Sequence, residues 1–298
     1  MNNITDTANL TSHKKGYPSN RWLLLRRFTQ LTVLCLFLVG PITGVWLVKG
    51  NLNSSLTLDV LPLSDPYILL QSFIAGHQLE LTAITGALIV TVFYIAVGGR
   101  VYCSWVCPIN IITDLAAWCR QKLGIKGPSI KFSRGNRYWI FAMTLLLAIF
   151  TSTIAWELVN PVSMVFRGIV FGMGAAWIFA LAIFLFDLFI SRRGWCGHLC
   201  PVGAFYSLLG TMSIIRITAV NRHQCNDCMD CFNVCPEPQV IKPALKGEKK
   251  DIGPVILSHQ CTNCARCIDV CSKSVFKFST RFNNKLSSPT LNIKEAIS

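Results

Sequence analysis

The chain has 298 residues, 52% of them hydrophobic and only 14% charged, with a formal net charge of +14. That composition excludes an ordinary soluble globular domain and points to a membrane protein with a small polar appendage. A soluble chain this basic would suggest nucleic acid, but here the basic residues are spaced as a topology signal, which argues against a nucleic-acid partner.

Residues 1–27 form a polar tail carrying Lys14, Lys15, Arg21, Arg26 and Arg27. Apolar runs at about 28–48, 79–97, 138–158 and 169–190 each approach the twenty or so residues that cross a bilayer, and they predict four transmembrane helices. The first run is too long for the apolar core of a signal peptide and lacks a small-residue cleavage site. Lys and Arg number five in the N-terminal tail, one in 49–78, seven in 99–137, one in 159–168 and fourteen after residue 190. This alternation is the positive-inside pattern, and it predicts cytoplasmic termini and a cytoplasmic 99–137 loop. On the opposite side, Val60–His77 is apolar but broken by Pro62 and Pro66. It fits a short interfacial helix or an ordered loop equally well.

Two segments repeat. GGRVYCSWVCPIN follows the second apolar run and RRGWCGHLCPVGA follows the fourth, so Cys103/Cys107-Pro108 and Cys196/Cys200-Pro201 both read C-x3-C-P. Each closes a pair of predicted helices on the same side, and repeats of equal orientation relate by an axis along the membrane normal, drawing the four thiols together. Glycines (Gly98, Gly99, Gly194) suit the end of the preceding helix, and Pro108 and Pro201 suit the start of the next. That puts Cys107 and Cys200 at helix N-termini, where the dipole favours thiolate. Three readings stay open for these cysteines: a further metal or iron–sulfur centre, redox-active disulfides, or packing at helix junctions. The stretch after Pro108 places Ile112, Leu115, Ala116, Cys119 and Leu123 on one apolar face. Cys119 and Cys35 read as packing residues.

Ionisable groups beside the apolar runs are few, and each is a functional candidate. His77, Glu80 and Glu157 stand at predicted helix mouths where they could take protons from a quinol; the plainer reading is solvated interface residues. Asp187 reads as an ion-pair partner of Arg192 or Arg193.

The C-terminal quarter carries the most specific signal. Cys225, Cys228, Cys231 and Cys235 follow C-x2-C-x2-C-x3-C-P, and Cys261, Cys264, Cys267 and Cys271 repeat the spacing, with Ser272 in place of the proline. In two-cluster ferredoxins the fourth cysteine of each run ligates the other cluster. The expected ligand sets are therefore Cys225, Cys228, Cys231 and Cys271 for one [4Fe–4S] cluster, and Cys261, Cys264, Cys267 and Cys235 for the second. Structural zinc prefers pairs of C-x2-C over triplets with a trailing cysteine, and a cytoplasmic segment disfavours disulfides. The expected fold class is an all-α membrane protein with four transmembrane helices in two pseudo-repeated pairs (residues 28–215). A 2[4Fe–4S] ferredoxin-like α+β domain (216–280) and a polar tail (281–298) follow.

The strings GNLNSSLTLDVLPLSDPYILLQSFIAGH and GGRVYCSWVCPINIITDLAAW, the second C-x3-C-P and the two ferredoxin motifs together resemble the NapH family. These are membrane ferredoxin-type components of periplasmic nitrate reductase systems. The resemblance runs from about Arg21 to about Phe278. It implies a quinol dehydrogenase module, multi-pass in the bacterial inner membrane. Such a module would draw electrons from the quinol pool and pass them, with a NapG-type iron–sulfur partner, towards the periplasmic nitrate reductase. The family's cluster ligands carry over to the eight ferredoxin-motif cysteines, and its paired C-x3-C-P motifs to Cys103, Cys107, Cys196 and Cys200. Ser272 departs from the family's proline without removing a ligand. The alternative is a membrane polyferredoxin serving as a metal reductase, or as a maturation or regulatory factor for a respiratory metalloenzyme.

Overall fold

The protein is described by a computed structural model covering residues 20–125, 133–172, 174–248 and 252–283. Most of the expected N-terminal and C-terminal tails lies outside these residues. The chain divides into two compact units. The larger comprises Leu25–Ile215 with the returning segment Leu257–Cys264. The smaller comprises Arg216–Ile256, the residues from Ala265 onward, and those before Leu25.

Helix α1 (Arg21–Thr43) runs 23 residues without a break, basic at its start (Arg21, Arg26, Arg27) and largely apolar from Phe28 on, with Pro41 confined to its last turn. At 1.5 Å per residue it is about 34 Å long, enough for a hydrocarbon core of about 30 Å. Among the described residues it alone is long and apolar enough to cross a membrane. This corrects the expectation of four transmembrane helices. The other apolar helices hold 10–17 residues: Leu81–Val97, Asn136–Thr151, Pro161–Phe171 and Ala176–Ile190. Hydropathy counts apolar side chains but does not see where a helix stops. The third expected span ends at Ser152, which adopts a left-handed conformation (φ 47°). The fourth is cut at Gly172 (φ 65°), the left-handed cap of the helix before it.

The segment after α1 corrects the all-α expectation. It forms an antiparallel meander of β1 (Val48–Gly50), β2 (Ser54–Thr57) and β3 (Leu61–Ser64), in register Val48↔Thr57 and Thr57↔Leu61. The β2–β3 turn has both central residues left-handed, Leu58 (φ 53°) and Asp59 (φ 58°), closed by Val60 N–H donating to Thr57 O at 3.2 Å. That is type I′ geometry made without glycine. Helix α2 (Pro66–Ile74) follows, with Asp65 as N-cap accepting from Tyr67 N and Pro66 in the first turn. It is not a surface helix, because Tyr67 and Gln71 are fully buried. Tyr67 shares a 2.7 Å hydrogen bond with Thr144.

Helices α3 (Leu81–Val97), α4 (Ile109–Lys122), α5 (Asn136–Thr151), α6 (Pro161–Phe171), α7 (Gly174–Leu185) and α8 (Pro201–Leu209) complete the larger unit. Helix α4 buries Ile109, Thr113, Ala116, Ala117 and Arg120, while Leu115 and Leu123 are exposed. Its buried stripe is thus rotated from the expected one. Asp114 binds Arg27 at 2.6 Å and Arg193 at 3.2 Å. Gly99 packs directly on the α8 end, where an added Cβ would overlap the Tyr206 carbonyl and the Gly210 backbone. Gly99→Ala should therefore cost about 3 kcal/mol and lower the thermal midpoint by roughly 10 °C, as read by scanning calorimetry.

In the smaller unit, β4 (Ile215–Thr218) and β5 (Lys277–Thr280) form a two-stranded sheet beside the short helices α9 (Asp230–Val234), α10 (Ile241–Lys246) and α11 (Arg266–Val270). Ile217, Ile241, Ile256, Val275 and Phe276 form its dry centre. Asp269 accepts from the Trp22 and Leu23 amides at 3.2 and 3.0 Å, capping α1.

Candidate functional site

The two C-x3-C-P segments fold alike. Gly98 ends α3 in a conformation open to glycine (φ 139°), and the chain then makes one π-helical turn, Tyr102–Val106. The second copy makes the same turn over Trp195–Leu199. In each, the second cysteine's amide reaches back five residues: Cys107 N to Tyr102 O and Cys200 N to Trp195 O, both 3.0 Å. Single π turns recur at functional sites because they reposition side chains that an α-turn would splay. Asp187 is fully buried and accepts Trp195 N–H at 3.1 Å, steadying the second turn, while Arg193 goes to Asp114.

Cys103, Cys107, Cys196 and Cys200 all line one narrow cavity of about 20 Å³, walled by Tyr102, Trp156 and Trp195. The helix N-termini do act on the thiols: the Ile109 and Asn110 amides favour Cys107 thiolate, and the Val202 and Gly203 amides favour Cys200 thiolate. Burial outweighs them. It pushes Cys200 up to about 12 and raises Cys103, Cys107 and Cys196 as well. Desolvation of the neighbouring thiols thus opposes what the helix ends supply. Each cysteine keeps partial accessibility because it faces the cavity.

Four cysteines on one cavity are the donor chemistry that iron–sulfur groups use, although among the described residues no three His, Cys, Asp or Glu are placed to hold a metal ion. Trp156 is 4% exposed, and its indole N–H has no acceptor. An N–H of this kind is what a cluster sulfur accepts.

In the smaller unit Cys225, Cys228, Cys231 and Cys271 line a narrow cavity of about 20 Å³ with Phe232, Leu245 and Phe276. Burial, then the adjacent Cys225, Cys228 and Cys271 thiols, push Cys231 up to about 12. Four thiols crowded this way need a cation to ionise. The first motif bends around the cavity through Asp227 (φ 59°) and Met229 (φ 61°), and the second repeats the conformations at Asn263 (φ 47°) and Ala265 (φ 58°). Asp227 pairs with Lys246. Cys267 is buried and Cys235 half-buried.

Cys261 and Cys264 lie on the segment Leu257–Cys264, which belongs to the larger unit. Residues around Cys103 hold it in place. Arg100 donates to Gln260 O at 2.8 Å, Ser104 to Thr262 O at 2.8 Å and Trp105 Nε1 to Asn263 O at 3.2 Å. Asn263 donates in turn to Val97 O at 3.2 Å and Ile215 O at 2.8 Å.

Comparison with known proteins fits this arrangement. A 4Fe-4S binding domain matches residues 79–126 and 173–216, which hold the two C-x3-C-P motifs, and a 4Fe-4S dicluster domain matches 224–285. The methylamine utilization ferredoxin-type protein MauN of Paracoccus denitrificans is 54% identical over 90% of this chain and 94% of its own. The ferredoxin-type protein NapH of Haemophilus influenzae is 51% identical over 95% and 99%, and that of Escherichia coli 45% identical over 95% and 98%. The chain belongs to the NapH/MauN family of ferredoxin-type proteins. It is an iron–sulfur electron-transfer protein. No solved structure matches it.

The structure places the other sequence candidates of this NapH/MauN-type chain apart. His77 and Glu80 are exposed in the connection from α2 to α3. Glu157 accepts from Asn53 Nδ2 at 2.6 Å and pairs with Arg167 at 3.3 Å. None of the three lines a cysteine cavity. Sequence reasoning missed Arg100 and Trp156. Arg100 carries a weak signal, a lone arginine at a helix end directly before C-x3-C-P; Trp156 carries none.

Proposed function

We propose that this chain draws electrons from membrane quinol and relays them through iron–sulfur clusters to a NapG-type iron–sulfur partner, towards a periplasmic nitrate reductase. The observation that carries the reading is the meeting of both C-x3-C-P motifs on one cavity, with the Cys261–Cys264 segment hydrogen-bonded to residues flanking Cys103. By spacing, Cys225, Cys228, Cys231 and Cys271 hold one [4Fe–4S] cluster, and Cys261, Cys264, Cys267 and Cys235 the second. Cys103, Cys107, Cys196 and Cys200 hold a further centre, with Arg100 and the Trp156 indole as its polar neighbours. Bound clusters supply one-electron transfer; the chain supplies their ligands, their hydrogen bonds and a dry setting that tunes potential.

Membrane association is supported by α1 and by apolar side chains turned outward, among them Phe28 (68% exposed), Trp139 (75%) and Phe150 (83%). The membrane proposed is the bacterial inner (cytoplasmic) membrane. A second reading, favoured by the identity to MauN, keeps the relay but serves a methylamine-utilization system. Growth of a deletion strain on nitrate against methylamine separates the two.

Reduction of the clusters by added quinol in the purified protein tests the main reading, and no reduction refutes it. Iron and acid-labile sulfide analysis tests the further centre. About twelve irons are expected in the wild type and about eight in Cys103→Ser/Cys196→Ser. About eight in both would leave the C-x3-C-P thiols without an iron–sulfur role.

A further inference from the structure

A second cavity in the larger unit, of about 350 Å³, is within the range that encloses a small molecule, about 300–1,000 Å³. One side is apolar, made by Val33 and Phe37 of α1 and Ile89 and Phe93 of α3. The other side presents Asp65, Tyr94, Tyr102 and Tyr206. Tyr102 and Tyr206 stack at 4.9 Å and 19°, and Tyr94 meets both edge-on at 6.1 and 5.1 Å. Such a wall accepts a flat ring, and the apolar side, built partly from the one membrane-length helix, accepts an apolar tail.

Asp65 is 7% exposed. Its two hydrogen bonds, from Tyr67 N at 2.9 Å and Tyr206 OH at 3.2 Å, both end on Oδ1. Among the described residues no donor reaches Oδ2. Capping α2 requires one acceptor oxygen, which asparagine supplies as well as aspartate. A buried carboxylate with one oxygen left without a protein donor is costly unless a ligand or water donates to it. Tyr102 lines this cavity and the four-cysteine cavity alike, so one tyrosine separates them.

We infer that this cavity is the quinol site and that Asp65 Oδ2 takes the proton from the quinol hydroxyl as its electron leaves past Tyr102. The inference rests on the quinol reading above and names where that chemistry happens. One O–H bond breaks, its proton passes to Oδ2 and one electron reduces an oxidised iron–sulfur cluster. Asp65 then releases the proton to water, and the second hydroxyl reacts the same way. Each quinol thus gives a quinone, two protons and two electrons, matched by two one-electron cluster reductions. Burial raises the Asp65 carboxyl to about 6, opposed by the Tyr67 amide and the Tyr206 hydroxyl and assisted by the Glu157 charge. Burial also raises Tyr67, Tyr94, Tyr102 and Tyr206, which stay protonated. The carboxylate is therefore ionised at neutral pH yet basic enough to accept a proton.

The test uses the full-length, cluster-loaded protein in detergent, without oxygen, with menadiol as donor and cluster bleaching as readout. Asp65→Asn keeps the cap and the Tyr206 bond. It should slow reduction by menadiol about 100-fold, abolish the rise in rate through pH 6, and leave reduction by dithionite unchanged. Ile89→Trp fills the cavity from the exposed face of α3 and should raise the menadiol KM at least tenfold with dithionite reduction intact. An Asp65→Asn protein with wild-type rate and pH profile, or an Ile89→Trp protein with unaltered KM, overturns the site. Wild-type clusters that dithionite reduces and menadiol does not would instead refute the quinol reading itself, and the site with it.

Discussion

Cys228→Ser should unfold the smaller unit as well as empty one cluster position. The unit's elements are too short to stand alone: α9 and α11 have five residues each, α10 has six, and the two strands have four each. Isolated helices need roughly 12–15 residues to be even marginal in water. A core of this size supplies at most about 3–5 kcal/mol before staples are counted. Here the staple is the cavity of Cys225, Cys228, Cys231 and Cys271, whose thiols join the loop after β4 to the end of α11. Binding energy at such a site is folding energy. Hydrogen exchange should show protection lost across 217–248 and 265–280 in Cys228→Ser, and equally in wild type stripped of iron by a chelator. The amides of α3, α4 and α5 should stay protected. Retained protection in the smaller unit of the iron-free protein would mean that its apolar centre folds unaided.

The division between what was legible and what was not follows the range of the interactions. Ferredoxin cysteines announce themselves because the spacing of a cluster's ligands is local; the left-handed residues that bend each motif, Asp227 and Met229, then Asn263 and Ala265, leave no comparable trace. The paired C-x3-C-P motifs were legible as a duplication, while the π turns that aim them were not. The transmembrane reading failed at single residues. Ser152 and Gly172 end helices inside runs that hydropathy treats as continuous. In the meander, Leu58 and Asp59 form a type I′ turn without the glycine that usually marks one. The helix start at Asp65-Pro66 carries an ordinary capping signature. Its functional interest comes from Tyr206, 141 residues away, and no local pattern reports that.

Arg100→Met should separate the C-x3-C-P cavity from the segment carrying Cys261 and Cys264. Arg100 is 2% exposed. One guanidinium nitrogen donates to Gln260 O at 2.8 Å and another to Cys196 O at 3.2 Å, while the same group hydrogen-bonds the Cys103 thiol and favours its ionised form. Methionine fills the space and leaves two buried carbonyls without their donors, at about 1–3 kcal/mol each, so a loss of about 3 kcal/mol is expected. Arg100→Lys keeps the charge but lacks the planar fork that reaches two carbonyls at once. The two variants therefore divide positioning from electrostatics. If the fork sets the geometry, both should slow quinol-driven reduction of the clusters. Only Arg100→Met should shift the potential of a centre held by Cys103, in the negative direction, because a buried cation favours the electron-rich state. Rapid-mixing kinetics and an anaerobic redox titration followed by paramagnetic resonance read the two effects separately. Full recovery of both by lysine would reduce Arg100 to a point charge. An unchanged potential in Arg100→Met would deny that a redox centre lies beside it.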